Sequence, residues 1–317
     1  MRRLALLLAG CLAALPAPAQ EAVRELGSGA TRMVLRSTTD AAVIRPVLEA
    51  FLAGRPDLSL RYEQWGSNAL DALSRADCAA GRGADAVWSS AVQHMVGLVN
   101  RACARSHRSA ATAALPADLR WRDQLWGLTR EPAVIIYNRD LVPAAEVPAD
   151  RFDLLDLMRA RPARYRGRIA TYDIEASGLG YLFAYADSLE ATTFGGLMES
   201  FARTGGVATC CSAELIRDVA AGRYLIAYNV LGSYVEAAAP ANVGVVMPGD
   251  YTLFLSRGYM IPAGAAAPAA GEALLDFLLG AQGQALLAQA GQVEAAAPAE
   301  TALAQSAARP IALSPAL

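Results

Sequence analysis

The chain has 317 residues, 54% of them hydrophobic and 18% charged, with a formal net charge of −2. That length supports one large or two medium domains with real cores, and the near-neutral charge leaves no basic footprint for nucleic acid. Lysine is absent, so all 28 basic residues are arginines; Schiff-base, Walker A and Ser-x-x-Lys chemistries are excluded, and any cationic side chain holding an anion is an arginine.

The chain begins with a positive Met1-Arg2-Arg3, an apolar run from Leu4 to Leu15, and a small-x-small site at Ala17-Pro18-Ala19. This is the pattern of a secretory signal peptide over 1–19, too short and wrongly flanked for a membrane span. Leu8-Ala9-Gly10-Cys11 also reads as a lipoprotein cleavage box, but cutting there leaves a very short leader, so cleavage after Ala19 is favoured. The expected location is a bacterial periplasm, where disulfides persist and no ATP pool exists.

From Thr31 strands alternate with helices. Arg32 to Arg36 reads as a strand, Ser37-Thr38-Thr39-Asp40 as a polar loop, and Val43 to Ala53 as a helix with Val43, Val47, Leu48 and Phe51 on one face. Leu58 to Tyr62 is the next strand, followed by Trp65-Gly66-Ser67-Asn68 and a helix through Leu70 and Leu73. Ala84 to Trp88 is the third, followed by Ser89-Ser90 and a helix through Val92, Met95, Val96 and Val99. This alternation implies parallel pairing and an α/β layer.

The middle of the chain breaks the rhythm. Trp126 to Tyr137 reads as one long crossing strand. A second α/β unit follows: a helix from Phe152 to Met158, a strand from Arg168 to Tyr172, helices from Gly178 to Ala186 and from Leu215 to Ala221, and a strand from Tyr224 to Tyr228. The chain returns through strands at Val243 to Met247 and Tyr251 to Ser256, and adds an amphipathic helix from Glu272 to Leu279. An Ala/Pro-rich tail over 295–317 is expected to fray. The reading is an α/β fold of two lobes, each a mixed, mainly parallel sheet flanked by helices, joined by two crossing strands. The N-terminal lobe takes 31–131 and 255–294, and the C-terminal lobe 132–254. The cleft between such lobes is where ligands bind.

Two histidines, His94 in an apolar helical pattern and His107 in a polar loop, make a zinc site or a Ser-His-Asp hydrolase improbable. No metal or other cofactor is expected. Removal of the leader leaves Cys78, Cys103, Cys210 and Cys211. Four cysteines allow three pairings. Cys78 with Cys103 is expected because they bracket one strand-helix unit. Joining the adjacent Cys210 and Cys211 forces a strained ring, so two free thiols in a semi-buried turn are expected there.

A small hydroxyl or amide residue recurs where a strand hands over to a helix: Ser37-Thr38-Thr39, Ser67-Asn68, Ser89-Ser90, Ser177-Gly178 and Gly232-Ser233. Each alone is explained by ordinary N-capping. Five on both sides of a cleft point to an anion site built from helix N-termini. Arg130 and Glu131 precede the apolar end of a crossing strand. Asp173 and Glu175 either accept hydrogen bonds from ligand hydroxyls or belong to a charged surface loop. Tyr234 and Trp65 either wall the pocket or pack in the interior.

Several runs are similar to one known family: Trp88-Ser89-Ser90-Ala91 with Leu98-Val99-Asn100, Trp126-Gly127 with Glu131-Pro132-Ala133-Val134, Tyr137-Asn138, Thr171 to Gly178, and Tyr228 to Tyr234. From about Arg32 to Gln289 the chain resembles the periplasmic solute-binding proteins of ABC transporters, in the ferric-type branch. Within it, the resemblance is closest to the phosphoglycerate-transport regulatory group, related to hexose-phosphate binders. The resemblance implies a two-lobed class II fold that closes by a hinge, a binding role without catalysis, and a permease or a sensor histidine kinase as partner. Ferric binders of that branch carry two adjacent tyrosines near the position of Tyr234, whereas here Ser233 precedes it and Val235 follows. A lone phenolate suits a hard trivalent ion poorly, so an organic anion is the preferred ligand.

The expectation is a monomer that captures a small phosphorylated or carboxylated metabolite. Ser37, Thr38, Thr39, Ser67, Asn68, Ser89 and Ser90 cradle the anion from the first lobe, with Arg130 as charge partner and Trp65 as a wall. Glu131, Tyr172, Asp173, Glu175, Ser177, Gly178, Asn229, Ser233 and Tyr234 complete the site from the other side. A sensor feeding a two-component kinase is the alternative output. A hydrolase using Asp173 and Glu175 ranks last because nothing supplies a nucleophile or a metal.

Overall fold

The computed structural model describes residues 20–293 and 308–317. The leader assigned to 1–19 lies outside the described residues, as does 294–307. The strands are β1 (Gln20–Gly27), β2 (Thr31–Ser37), β3 (Leu58–Trp65), β4 (Ala86–Ser89), β5 (Arg120–Trp121), β6 (Leu125–Gly127), β7 (Glu131–Asn138), β8 (Ile169–Tyr172), β9 (Val207–Thr209), β10 (Ile226–Leu231), β11 (Val243–Val246), β12 (Thr252–Leu255), β13 (Gly258–Met260) and β14 (Ala308–Pro310).

They form two seven-stranded sheets. The first runs β1-β3-β2-β4-β13-β6-β5, and the second β14-β12-β7-β10-β8-β9 with β11 also on β7. Parallel ladders join β3, β2 and β4 in one sheet and β10, β8 and β9 in the other. Strands near the crossings add antiparallel pairs, β13 with β4 and β6, and β7 with β10 and β12. Both sheets are therefore mixed, with helices packed against them.

The helix Ala41–Ala53 buries Ile44, Val47, Leu48 and Phe51, the spacing of one helical face. It covers the first sheet, whose Met33, Leu35, Trp88, Trp126 and Tyr259 are fully buried. Each such side chain contributes about 1.5–3 kcal/mol by leaving water. The second sheet has its own core around Ile135, Leu154, Ile169, Leu197 and Ile226. Among the described residues no helix is long and apolar enough to cross a membrane.

Three sequence expectations change. The single strand expected over Trp126 to Tyr137 is two, β6 in the first sheet and β7 in the second. Leu128 to Arg130 between them bond instead to the returning segment and to the chain near Gln292, through Leu128 N to the Arg257 carbonyl at 3.0 Å and Arg130 N to the Gln292 carbonyl at 3.0 Å. The end of the tail is not frayed over 308–317: β14 pairs parallel to β12, and Ile311 and Leu313 are buried. Cys78 pairs with Cys103 as expected, but Cys210 and Cys211 are also joined. Adjacent Cα atoms lie 3.7 Å apart there, and Cys211 holds an extended backbone, so the bridge closes within the turn between β9 and the helix Ser212–Ala220.

Candidate functional site

Two of the chain's passages between the sheets, at Leu128–Arg130 and at Ser256–Arg257, lie side by side; a third separates β13 in the first sheet from β14 in the second. A buried polar network ties these crossings together. Arg257 is 1% exposed; its Nε and Nη2 donate to the two carboxylate oxygens of Glu131 at 2.8 and 3.1 Å, and Glu131 is 0% exposed. Thr129 Oγ1 and Ser233 Oγ donate to the same carboxylate at 2.7 and 2.6 Å. Arg257 Nη1 reaches Thr39 Oγ1 at 3.2 Å, carrying the network into the loop after β2. A charge pair this deeply buried needs its charged atoms hydrogen-bonded, and here each guanidinium nitrogen and each carboxylate oxygen has at least one partner.

Above this pair opens a cavity of about 100 Å³ between the sheets. Its first-lobe wall is Glu21, Thr38, Asp40, Trp65, Gly66, Ser67 and Ser90; the facing wall includes Tyr172, Ser177, Leu179, Cys210, Cys211, Ser212, Ala213, Leu231 and Tyr234. Arg257 lies on it as well. A guanidinium has five N–H groups, so the three bonds of Arg257 leave two.

Backbone donors converge on the same space. The helices Ser67–Ala79 and Ser212–Ala220 begin on facing walls, and neither N-cap, Gly66 or Cys211, carries a side-chain cap. First-turn N–H groups and the positive dipole ends are thus presented from both sides. The buried indole Nε1 of Trp65 has no hydrogen-bond partner among the described residues. Hydroxyls complete the lining: Ser90 N donates to Thr38 Oγ1 at 2.9 Å, and Tyr172 Oη and Ser212 Oγ lie 2.6 Å apart.

Burial shifts the titration of several groups in the site, among them Tyr172, Tyr234 and Asp40. Burial pushes the Tyr234 phenol up to about 12, partly opposed by Arg257, so it is neutral at physiological pH. Its oxygen accepts the Asp40 N–H at 3.2 Å. Burial also raises the Asp40 carboxyl above the ordinary aspartate range, against the opposing pull of Arg257 and of a hydrogen bond from Gln64. Among the described residues no cluster of three His, Cys, Asp or Glu side chains gathers.

Of the residues singled out from sequence, Thr38, Trp65, Ser67, Ser90, Tyr172, Ser177 and Tyr234 meet in this cavity. Others lie elsewhere. Ser37 and Ser89 are buried and accept from Thr39 N and Ala91 N at 3.0 and 3.1 Å. Thr39, Glu131 and Ser233 belong to the buried crossing network. Arg130 stacks its guanidinium on Phe254 at 3.9 Å and does not line the cavity. Asp173, Glu175 and Asn229 line a separate hollow of about 330 Å³ with Phe183, Asp187 and Met198. Asp173 Oδ1 accepts from Glu175 N and Ala176 N, and Asn229 donates to Asp187 at 2.6 Å.

Asn68 and Gly178 instead join the lobes beside the cavity. Asn68 Nδ2 donates to the Glu175 carbonyl at 2.7 Å, Gly178 N to Ser67 Oγ at 2.9 Å, and Gln93 Nε2 to the Gly178 carbonyl at 2.6 Å. A Cβ on Gly178 would meet His94 at 2.6 Å and Ala91 at 3.0 Å, so the close approach needs glycine. Sequence reasoning missed Arg257, Asp40 and the Ser212–Ala213 helix start. Arg257 sits one residue past an expected strand, with no local pattern to mark it.

Two sheet-based lobes linked by paired crossings, with a polar cavity between them, define a two-lobed periplasmic binding-protein fold. The family model for bacterial extracellular solute-binding proteins matches residues 36–285, and the chain belongs to that family. A solved structure described as the substrate-binding protein of an ABC transporter from Agrobacterium tumefaciens is 31% identical, covers 93% of this chain and 92% of its own, and superposes with a TM-score of 0.86. Iron-bound HitA from Pseudomonas aeruginosa is 16% identical with a TM-score of 0.70, over 87% of this chain and 91% of its own. AfuA from Actinobacillus pleuropneumoniae, solved with fructose-6-phosphate, is 16% identical with a TM-score of 0.69, over 83% and 84%. At that identity the last two share the fold alone. No curated relative matches the sequence.

Proposed function

We propose that this solute-binding protein captures a small organic anion, a sugar phosphate, a phosphoglycerate-like metabolite or a carboxylate, by closing its lobes, and delivers it to an ABC importer. The observation that carries the reading is the convergence of donors: two uncapped helix starts on facing walls and the spare N–H groups of Arg257. Arrays of this kind stabilise a phosphate or carboxylate without a metal. Ligand touching both walls binds the closed arrangement better than the open one, so binding shifts the population towards closure.

Asp40 is the counterweight. Its carboxylate repels an anion, and its raised titration lets a proton reduce that repulsion. Ferric ion fits less well, because both phenols in the wall, Tyr172 and Tyr234, are held neutral by burial, with Tyr172 Oη paired to Ser212 and Tyr234 Oη accepting a backbone N–H.

Trp65 in the cavity wall supplies the test. Titration of the protein lacking residues 1–19 with 3-phosphoglycerate, fructose 6-phosphate and citrate should change tryptophan fluorescence saturably with at least one of them, and Trp65→Phe should remove the change. A response to ferric ion alone contradicts the anion reading.

A further inference from the structure

We propose that the Cys210–Cys211 disulfide is a positioning element of the ligand site: it fixes the turn that aims the first turn of the helix Ser212–Ala220 into the cavity. The inference rests on the anion-binding reading above. Both cysteines line the cavity, followed directly by Ser212 and Ala213, which line it too. Cys211 is the helix N-cap, yet no side chain caps this helix. The usual device for fixing a helix entry is therefore missing where the first N–H groups face the ligand space. The eight-membered ring of a disulfide between neighbours replaces it, removing backbone freedom from the two residues that set the direction of those N–H groups.

The turn is anchored on either side. Thr209 Oγ1 donates to Glu214 Oε2 across it, and Ser212 Oγ contacts Tyr172 Oη at 2.6 Å. The ring is also accessible, since Cys210 is exposed and Cys211 half-buried, whereas Cys103 of the other disulfide is buried. Exposure favours thiol–disulfide exchange. An added dithiol attacks one sulfur, the mixed disulfide resolves within the reductant, and two protein thiols plus one cyclic reductant disulfide result. Two electrons and two protons pass from reductant to protein. In the thiol form the turn regains its freedom, and ligand binding must then order it at a cost to affinity.

The experiment compares oxidised wild type, wild type treated with dithiothreitol, and Cys210→Ser/Cys211→Ser, each titrated with 3-phosphoglycerate and fructose 6-phosphate. Amide exchange at Ser212, Ala213 and Glu214 is followed in the same samples. Affinity for the probe that wild type binds should fall at least about fivefold in the double variant, and by the same factor in reduced wild type. Exchange at 212–214 should accelerate in both. Reductant should not lower the variant's affinity further; a further fall places the effect at Cys78–Cys103 and overturns the proposal. Equal affinity, or unchanged exchange at 212–214, overturns it too. If oxidised wild type binds no organic anion, the function reading fails by itself, and the exchange measurement still decides what the disulfide does to the helix start.

Discussion

Arg257 and Glu131 fasten two interlobe crossings to each other, guanidinium nitrogens meeting carboxylate oxygens at 2.8 and 3.1 Å in a fully buried pair. The pair has two consequences. It ties together two segments that join the lobes, and it places Arg257 on the cavity. These roles separate experimentally. Arg257→Met alone leaves a buried carboxylate uncompensated and should destabilise the protein by about 3–5 kcal/mol. Arg257→Met combined with Glu131→Leu should recover most of that stability, because two apolar groups replace a costly ion pair. Anion binding should stay weak in both. Chemical denaturation and calorimetric titration of the two variants measure each arm; restored binding in the double variant would remove Arg257 from the ligand site.

Asp40 should make binding at the proposed anion site pH-dependent. Its carboxyl titrates above the ordinary aspartate range because it is buried. As pH falls through that raised value the carboxylate is neutralised, so affinity for an anion should rise. Asp40→Asn should bind the anion more tightly at pH 7, by roughly tenfold if the repulsion removed is on the order of 1.4 kcal/mol. The variant should also lose the Asp40 component of the pH profile. The stability sign agrees: a carboxyl with a raised folded-state value favours folding below the ordinary range, and that contribution is lost as pH rises through the raised value. Titrations of both proteins from about pH 4, the ordinary aspartate value, up to neutrality read the difference directly; identical profiles would show that Asp40 does not face the ligand.

Ser89 and Ser90 are neighbours with different work. Ser89 Oγ accepts the Ala91 N–H, whereas Ser90 lines the cavity beside Thr38. Ser89→Ala should cost about 1 kcal/mol of stability and leave affinity unchanged. Ser90→Ala should weaken binding severalfold with little change in thermal stability, by loss of one hydrogen bond worth about 1 kcal/mol. Reversal of the two phenotypes in paired melting and titration experiments would reject this division.

Gly178 reports on closure. The clash that a methyl group would make is with His94 and Ala91, which belong to the opposite lobe. Gly178→Ala should therefore disfavour the closed arrangement while leaving each lobe folded. The expected result is a circular dichroism spectrum like wild type, a larger radius of gyration with ligand present, and reduced affinity. Wild-type compaction in small-angle scattering would mean that the lobes close without this contact.

Much of the fold was legible because its signals are local. The spacing of Val47, Leu48 and Phe51 and the polar handover at Ser37 to Asp40 mark strand, loop and helix within twenty residues or so. The same locality explains why Thr38, Ser67, Ser90 and Ser177 were found: each sits at a strand-to-helix handover, and the fold brings those to the cavity. Arg257 had no such signal. Its partner Glu131 is 126 positions away, and only the tertiary pairing assigns it. Asp173 was misplaced because it lies just past the end of β8, where its Oδ1 accepts from Glu175 N and Ala176 N and the residue lines the other hollow, while the Tyr172 hydroxyl reaches Ser212 in the cavity. Asn229 escapes pattern reading differently, since its φ of +59° and the register shift in β10 break the alternation.

The most direct test of the account is the thermal shift of the protein lacking residues 1–19 against phosphoglycerates, hexose phosphates, phosphonates, di- and tricarboxylates, and ferric ion with citrate. A ligand at about a hundred times its dissociation constant stabilises the folded state by about 2.7 kcal/mol, which raises the melting temperature by several degrees. Such a shift is expected with a phosphorylated or carboxylated compound, as is its loss in the Arg257→Met/Glu131→Leu double variant. A shift with ferric ion alone, or an organic-anion shift that survives in the double variant, would contradict this expectation.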